Sequence, residues 1–150
     1  MKKGVVFGSF DLIHPGYVQL FEFCKQYCDI LIVGLQVDPS IDRKEKNKPC
    51  QSIFERQVVL KSIRQVDDIV VYQNDYEIEE IIHFYRLQVR FLGADYIGRP
   101  GSIIGFDLCR RLKIEIIYCN RDHEWSTSEL RKRIANLEYS KKLEEWRAKQ

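Results

Sequence analysis

The stretch from residue 5 to residue 17 reads VVFGSFDLIHPGY and decides the fold. Its first three residues form a short apolar run that predicts a β-strand, and Gly8 ends that strand. Pro15 follows His14 directly, and proline is favoured in the first turn of a helix. The chain therefore passes from a strand through a glycine turn into a helix.

The same alternation of apolar runs and amphipathic segments continues to the end of the chain. Further strands are predicted at residues 29–37, 69–72, 89–92 and 114–118. Helices are predicted at residues 15–27, 52–66, 77–87 and 103–112, and a last one from residue 126 towards the C-terminus. Two capping boxes, SIFE at 52–55 and STSE at 126–129, mark helix starts, whereas residues 38–51 form a charged loop and 98–101 a turn.

Strands that alternate with helices predict an α/β fold, with a parallel sheet of about five strands and helices on both faces. A chain of 150 residues has the usual size of one compact domain, so we expect a single domain over 1–150 with a helical tail from about residue 135. Ligands of such folds bind beyond the carboxyl ends of the strands, where the strand order reverses.

Bulk properties narrow the classes of function. The formal net charge is +2, which gives no strong argument for a nucleic acid or an anionic membrane as partner. No apolar run approaches the roughly 20 residues that cross a bilayer, and the first run is too short for a signal peptide. We therefore expect a cytoplasmic protein without membrane insertion. The five cysteines lack the spacing of a zinc site and are expected to be reduced thiols, so no protein metal site is predicted.

The turn between the first strand and the first helix has the composition of a phosphate site. A helix start offers free amides and the positive end of the helix dipole. Gly8 and Ser9 are small and let the backbone approach a ligand, while Gly16 keeps the first helical turn open. His14 adds a hydrogen-bond donor for a phosphate oxygen. Each of these features is common by itself, and a histidine at a helix start is more often a capping residue.

Two later stretches extend this site to the same edge of the sheet. The run RKEKNK at residues 43–48 is a solvated loop when taken alone, but it follows the second strand and therefore lies at the edge that holds His14. The stretch RDHEWSTS at residues 121–128 precedes the last helix. Its hydroxyls and amides would bind phosphates, although Ser126 also serves as an ordinary N-cap.

Together, GSFDLIHPGY at residues 8–17 resembles the G-x-F-D-x-x-H-x-G-H signature of the cytidylyltransferase family, in particular its glycerol-3-phosphate cytidylyltransferase branch. RDHEWSTS resembles the R-T-x-G-I-S-T-T signature of that family, and the resemblance covers about residues 3–134. It implies a Rossmann-like fold and the transfer of CMP from CTP to a phosphorylated alcohol, with release of pyrophosphate. It also implies Mg²⁺ bound through the nucleotide phosphates, and a homodimer.

The resemblance also implies roles for individual residues. The catalytic positions are His14, Tyr17, Lys44 and Arg121. The acceptor substrate would be bound by Lys46 and by Arg56, which is expected to point towards the site. Asp11 orients its loop, reaches the metal through water, or bonds to local backbone amides. The nucleotide-binding positions are Gly8, Ser9, Phe10, Asp11, Gly16, Gly93, Asp95, Ser126, Thr127 and Ser128.

The most consequential departure from the family pattern is Tyr17, which stands where the second histidine of the signature belongs. That histidine stabilises charge on the α-phosphate, whereas a tyrosine hydroxyl, with a pKa of about 10, donates one hydrogen bond and no positive charge. Loss of such a donor costs roughly 10²–10³ in rate. Three interpretations stay open: turnover is slow, basic residues elsewhere compensate, or the chain is a mutant or degenerate member.

Smaller departures follow in the later motifs. Ala94 replaces the first acid of a G-D-D-W motif, and Glu124 replaces a glycine. His123 has no assigned role and is expected at the surface. Three alternative functions remain: an adenylyltransferase that uses ATP, an enzyme for a sugar, polyol or amino-alcohol phosphate, and a catalytically weak nucleotide-binding module.

Overall fold

The computed structural model describes residues 1–149 and contains five strands and six α-helices in this range. The strands are β1 Lys3–Gly8, β2 Ile30–Gln36, β3 Asp68–Tyr72, β4 Val89–Gly93 and β5 Glu115–Cys119. The helices are α1 Pro15–Lys25, α2 Pro39–Asp42, α3 Ile53–Lys61, α4 Glu77–Tyr85, α5 Phe106–Arg111 and α6 Thr127–Arg147. Short 3₁₀ turns lie at Ala94–Tyr96 and Pro100–Ser102.

All strand pairs are parallel, and the order across the sheet is β3-β2-β1-β4-β5. This confirms the predicted parallel sheet of a Rossmann-like α/β fold. The winding direction changes at β1, which pairs with β2 on one side and with β4 on the other. Because ligands bind where the strand order reverses, the carboxyl ends of β1 and β4 mark the place for a site.

Two hydrophobic cores cover the two faces of the sheet. Successive residues of a strand point to opposite faces, so Val6 packs in one core and Val5 in the other. Helices α1 and α3 contribute Phe21 and Leu60 to the first core, and α4 contributes Ile82 to the second. The helices therefore lie on both faces, as predicted, and β2 reads as a continuous apolar run because both of its faces are buried.

The largest differences from the sequence predictions concern three helices. Helix α3 ends at Lys61 instead of about residue 66, because Ser62, Ile63 and Val66 form tight turns that bring the last two side chains against the core. Helix α5 begins three residues late, after Gly105 with its φ of +73°. Helix α2 lies within the stretch predicted as a loop, where the Asp38 side chain accepts a hydrogen bond from the amide of Ser40.

Helix α6 leaves the body of the protein after its first turns. From residue 132 to residue 149 its side chains are exposed, except for the half-buried Leu143. Leu137, Tyr139 and Trp146 are each at least 60% exposed, so the tail does not pack on the body. Across residues 1–149, no helix has both the length and the apolar character needed to span a bilayer.

Candidate active site

A cleft of about 1180 Å³ opens at the carboxyl ends of β1 and β4, where the topology places a site. Its wall contains residues from the turn after β1, the end of β4, the charged loop after β2 and the start of α6. All predicted site residues except Lys44 and Arg56 contribute to it: Gly8, Ser9, Phe10, Asp11, His14, Gly16, Tyr17, Lys46, Gly93, Asp95, Arg121, Ser126, Thr127 and Ser128.

His14 caps helix α1 with its own ring. Its Nδ1 accepts a hydrogen bond from the backbone N–H of Gly16 at 3.2 Å, so the neutral ring carries its proton on Nε2. The ring stacks on Tyr17, with 4.3 Å between the centroids. Burial lowers the pKa of His14, and the nearby His123 and Arg121 lower it further. At neutral pH His14 therefore offers an uncharged Nε2–H donor to the cleft.

The lowered pKa of His14 predicts an acid-dependent loss of stability. The unfolded chain binds this proton more readily than the folded chain, with a histidine pKa of about 6.5. The stability that the neutral His14 ring contributes is therefore fully present above about pH 6.5. It is lost as the pH falls through the pKa of His14 in the folded state. Urea unfolding between pH 5.5 and 7.5 should show a steeper decline in the free energy of unfolding for the wild type than for His14→Asn. Parallel curves for the wild type and His14→Asn would contradict this expectation.

Tyr17 joins the first motif to the last one. Its hydroxyl lies 3.1 Å from Thr127 Oγ1, and Thr127 Oγ1 donates to the backbone carbonyl of Asp11 at 3.0 Å. Since a carbonyl only accepts, the Thr127 proton goes to Asp11, and the Tyr17 hydroxyl must donate to Thr127. Burial raises the pKa of Tyr17, so the hydroxyl stays neutral. The expected role of Tyr17 as a donor to the nucleotide is thereby corrected, because its only proton is already in use.

Removing this hydroxyl should weaken the connection between the two motifs. We expect Tyr17→Phe to lower the free energy of unfolding by about 0.5–1.5 kcal/mol, since the ring keeps its stacking and only the hydrogen bond is lost. Thr127→Val should have a similar effect, and the double variant should cost less than the sum of the two. Urea unfolding measures the effect, with the exposed Tyr139→Phe as control. Full additivity would mean that the bond contributes nothing.

Asp11 holds the turn after β1 against the segment that precedes α3. It is 3% exposed and accepts from the backbone amides of Cys50 at 2.8 Å and Gln51 at 2.9 Å. Arg131 of α6 lies 3.8 Å from the same carboxylate. Of the roles expected for Asp11, the structure favours orienting a loop, and the amides it binds belong to a segment distant in sequence. Each carboxylate oxygen accepts one of these two amide bonds.

Arg56 does not reach the cleft, which corrects its predicted contact with the acceptor substrate. It is 1% exposed, and its guanidinium donates to the backbone carbonyls of Ser9 at 2.8 Å, Gln36 at 2.7 Å and Val37 at 2.6 Å. Its Nε donates to the carbonyl of Gln51 at 3.2 Å. The side chain lies below the site, where it binds three chain segments together.

Of the lysines in the charged loop, Lys46 lines the cleft and Lys44 does not. Lys44 is exposed, so the structure does not support its predicted catalytic contact in this conformation. Arg43 fixes the start of the loop: its Nη2 donates to Gln36 Oε1 at 2.9 Å, and its Nε lies 3.4 Å from Asp75. The loop thus begins at an anchored arginine and brings Lys46 to the cleft wall.

Phe10 lies in the turn after β1 and has an unusual backbone conformation. Phe10 and Leu12 adopt positive φ angles of 46° and 50°, which residues other than glycine rarely adopt. The Phe10 ring is buried against Phe21 and Tyr17, so contact with a ligand falls to its backbone. A Cβ at Gly8 would lie 3.2 Å from this ring, which explains the glycine at the end of β1.

The start of α6 presents backbone amides to the cleft. Ser126 Oγ accepts from the amide of Glu129 at 3.1 Å, so this hydroxyl serves as the N-cap. The first amides of the helix, at Thr127 and Ser128, lack intrahelical partners, as at any helix start. Only the serine half of the predicted capping box is present, because the Glu129 carboxylate pairs with Lys132. The expected phosphate donors at this position are therefore amides more than hydroxyls.

The outer wall of the cleft adds residues of both charges. Gly93 ends β4 in open space, with no atom within 4 Å of the position that a Cβ would take, and Asp95 follows as an exposed side chain. Arg121 is exposed before α6 and lines the same cleft. The structure therefore places these residues in one cleft with His14, whereas their contacts with a nucleotide stay predictions.

Two residues of the site were missed by sequence reasoning. His123, expected at the surface, is half-buried and lines the cleft beside His14. Arg90 is 3% exposed within β4, lines the cleft, donates to the carbonyl of Ile104 and lies over the ring of Phe7 at 5.3 Å. Arg90 belongs to no recognisable motif, and His123 occupies the unspecified third position of the motif at residues 121–128, so only their position in space reveals them.

Comparison with known proteins agrees with this site. Residues 5–133 match the family model described as cytidylyltransferase-like. Glycerol-3-phosphate cytidylyltransferase of Bacillus subtilis is 31% identical over 137 residues, which are 91% of this chain and 100% of that protein. The bifunctional protein HldE of Gluconacetobacter diazotrophicus is 33% identical over 129 residues, which are 85% of this chain but only 26% of that protein.

A solved structure supports the fold independently. The crystal structure of the lipopolysaccharide core biosynthesis protein from Thermoplasma volcanium aligns with a TM-score of 0.63 and covers 83% of this chain and 99% of that one. The sequence identity is 17%, so this likeness concerns the arrangement of strands and helices.

Proposed function

Because the chain belongs to the cytidylyltransferase-like family, we propose that it transfers CMP from CTP to a phosphorylated alcohol and releases pyrophosphate. The acceptor is glycerol 3-phosphate or a related polyol, sugar or amino-alcohol phosphate. The observation that carries the proposal is the hydrogen-bonded contact between Tyr17 and Thr127, 110 residues apart in sequence. It brings the starts of α1 and α6 to one cleft, and two helix N-termini at one place favour a polyanion.

The triphosphate would lie between these helix starts. His14 offers Nε2–H from the α1 side, and the amides of Thr127 and Ser128 offer donors from the α6 side. Arg121 and Lys46 line the same cleft and bring positive charge from two separate loops. Arginine suits the departing pyrophosphate because its planar fork binds two oxygens, whereas a lysine follows a moving charge.

The reaction needs positioning and charge neutralisation more than covalent chemistry. A phosphate oxygen of the acceptor attacks the α-phosphorus of CTP, and a new phosphoanhydride bond forms. The bond from the α-phosphorus to the bridging oxygen breaks, and its electrons leave with pyrophosphate. The chain's own residues bind and orient the phosphates, and His14, Arg121 and the α6 amides stabilise the charge that develops.

We propose that Mg²⁺ enters with CTP as part of the nucleotide substrate. Within the residues that the structure describes, no group of three His, Cys, Asp or Glu side chains is placed to hold a metal ion. Mg²⁺ commonly keeps several water molecules and binds through substrate phosphates. Bound in this way, it would neutralise charge on the triphosphate.

Pyrophosphate release tests the proposed function. The protein is incubated with Mg²⁺ and either CTP or ATP, together with a panel of phosphorylated alcohols, and the products are identified by mass spectrometry. We expect pyrophosphate and a CDP-alcohol with CTP only. Arg121→Gln should lower turnover, whereas Arg110→Gln, exposed on α5, should not. Turnover with ATP only would mean that ATP and not CTP is the nucleotide substrate. Tight CTP binding without product would indicate a nucleotide-binding module.

We also propose a homodimer, which the resemblance implies. The exposed Leu137, Tyr139 and Trp146 of α6 provide apolar side chains for a partner helix. Light scattering after size-exclusion chromatography should give twice the mass of the chain, and a monomer at high protein concentration would refute the dimer.

A further inference from the structure

The cleft lacks one donor that the proposed reaction needs. Tyr17 stands at the place of the second signature histidine, and its hydroxyl proton is committed to Thr127. Burial also keeps this hydroxyl neutral by raising its pKa. Neither a positive charge nor a free hydrogen-bond donor therefore reaches the cleft from position 17.

The imidazole of His123 nevertheless lies near that of His14, over the first turn of α1. An ideal Cβ at Gly16 would lie 2.5 Å from Cε1 and 2.9 Å from Nε2 of His123, and 3.0 Å from Cε1 of His14. Both rings thus approach the same backbone position. A side chain at position 16 would displace one of these rings, which adds a steric reason to the expected open first turn.

The surroundings of His123 point to an anion as the missing partner. Its Nδ1 is buried and makes no hydrogen bond within residues 1–149, and a buried polar atom without a partner is unfavourable. His14 and Arg121 lie nearby, and among the described residues no carboxylate comes within 4 Å of any of these three basic side chains. A group of basic side chains without a counter-ion, at two helix starts, is arranged for a polyanion.

We propose that His123 replaces the second signature histidine: its ring contacts the triphosphate beside His14 and stabilises the charge that develops as pyrophosphate leaves. This inference rests on the proposed function of the cleft. An imidazole carries a positive charge close to neutral pH, which a tyrosine does not. The proposal selects one of the three interpretations of Tyr17, namely that a basic residue elsewhere compensates for it.

The first test combines His123 and Tyr17 in one set of variants. We expect His123→Gln to lower kcat about tenfold to a hundredfold, less than the roughly 10²–10³ of a fully preorganised donor, since the ring is only half-buried. Tyr17→His should raise kcat by a larger factor in the His123→Gln background than in the wild type, because the two imidazoles serve the same charge. His83→Gln on the exposed side of α4 is the matched control. Equal kcat for the wild type and His123→Gln would overturn the inference.

A second measurement does not depend on turnover. Histidine ring resonances are followed by NMR from pH 5 to 8, with and without inorganic pyrophosphate, and assigned with the single variants. The titratable and charged groups near His123 include His14 at the start of α1, Arg121 in its own loop, and the exposed Asp122 and Glu124 beside it in sequence. Pyrophosphate should move the titration midpoints of His123 and His14 upwards and leave that of His83 unchanged.

The two measurements separate the inference from the function on which it rests. If no nucleotide yields pyrophosphate but the His123 resonance still responds to pyrophosphate, the transfer reaction is refuted and the anion contact stands. If CTP turns over normally but the His123 midpoint does not move, the transfer reaction stands and the role of His123 is refuted.

Discussion

Replacing Arg56 with methionine is expected to lower the free energy of unfolding by about 3–5 kcal/mol. The guanidinium donates to four backbone carbonyls, at Ser9, Gln36, Val37 and Gln51, and is almost completely buried. Methionine fills a similar volume but leaves these carbonyls without a donor in a region closed to water. Urea unfolding monitored by circular dichroism measures the change, which should exceed that of any other variant considered above.

The controls for Arg56 separate a structural role from a catalytic one. Arg64→Met removes an exposed arginine beyond the end of α3 and should change stability by less than about 0.5 kcal/mol. Arg56→Lys keeps the charge but not the planar fork and should recover only part of the lost stability. If Arg56→Met kept wild-type stability and lost only turnover, the arginine would act on the substrate, as the sequence analysis expected.

The largest expected effect on activity belongs to His14. We expect His14→Asn to lower kcat by roughly 10²–10³, the loss typical of one preorganised donor in a transition state. Asparagine is a good N-cap and should preserve the hydrogen bond to the amide of Gly16, while it removes the Nε2–H donor. The helix start and the thermal midpoint should therefore stay near those of the wild type, whereas turnover falls.

Steady-state kinetics with CTP and the best acceptor test this expectation. His83→Asn, on the exposed side of α4, should leave kcat unchanged. A His14→Asn enzyme with kcat within threefold of the wild type would show that the ring serves only as a cap. If His14→Asn lowered stability as well as turnover, the capping role of the ring could not be separated from its catalytic role. His14→Ala is therefore included, because alanine supplies neither the cap nor the donor and this variant should lose stability and turnover together.

Much of the fold was predictable because it depends on local patterns. Apolar runs that alternate with amphipathic segments identified all five strands. The near-continuous apolar run of β2 indicated a strand that is buried on both faces, as in a parallel sheet. The helix boundaries were less accurate, since they depend on single backbone positions. The left-handed conformation of Gly105 delays α5, and the packing of Ile63 and Val66 ends α3 early.

The candidate site was predictable to the extent that chemistry is carried by contiguous motifs. GSFDLIHPGY and RDHEWSTS identified the cleft that we propose binds a polyanion, and the contact between Tyr17 and Thr127 shows that the two motifs meet. Arg56 was predicted at the cleft but is buried below it, and His123 was placed at the surface but lines the cleft, whereas the catalytic contact of Lys44 stays a prediction. Each error concerns which way a side chain points, and motif spacing contains no information on that.

By itself, the sequence determined the order of strands and helices, the family resemblance and the position of the cleft, because these follow from periodicity and from residues adjacent in the chain. The tertiary structure alone decided that Arg56 is buried, that the Tyr17 proton is already bound and that His123 faces His14. The physical reason is that burial and hydrogen-bond partners depend on segments about 20 to 110 residues apart, as in the bonds from Arg56 to Gln36 and from Tyr17 to Thr127. Such partners come together only once the sheet has brought its carboxyl ends to one edge.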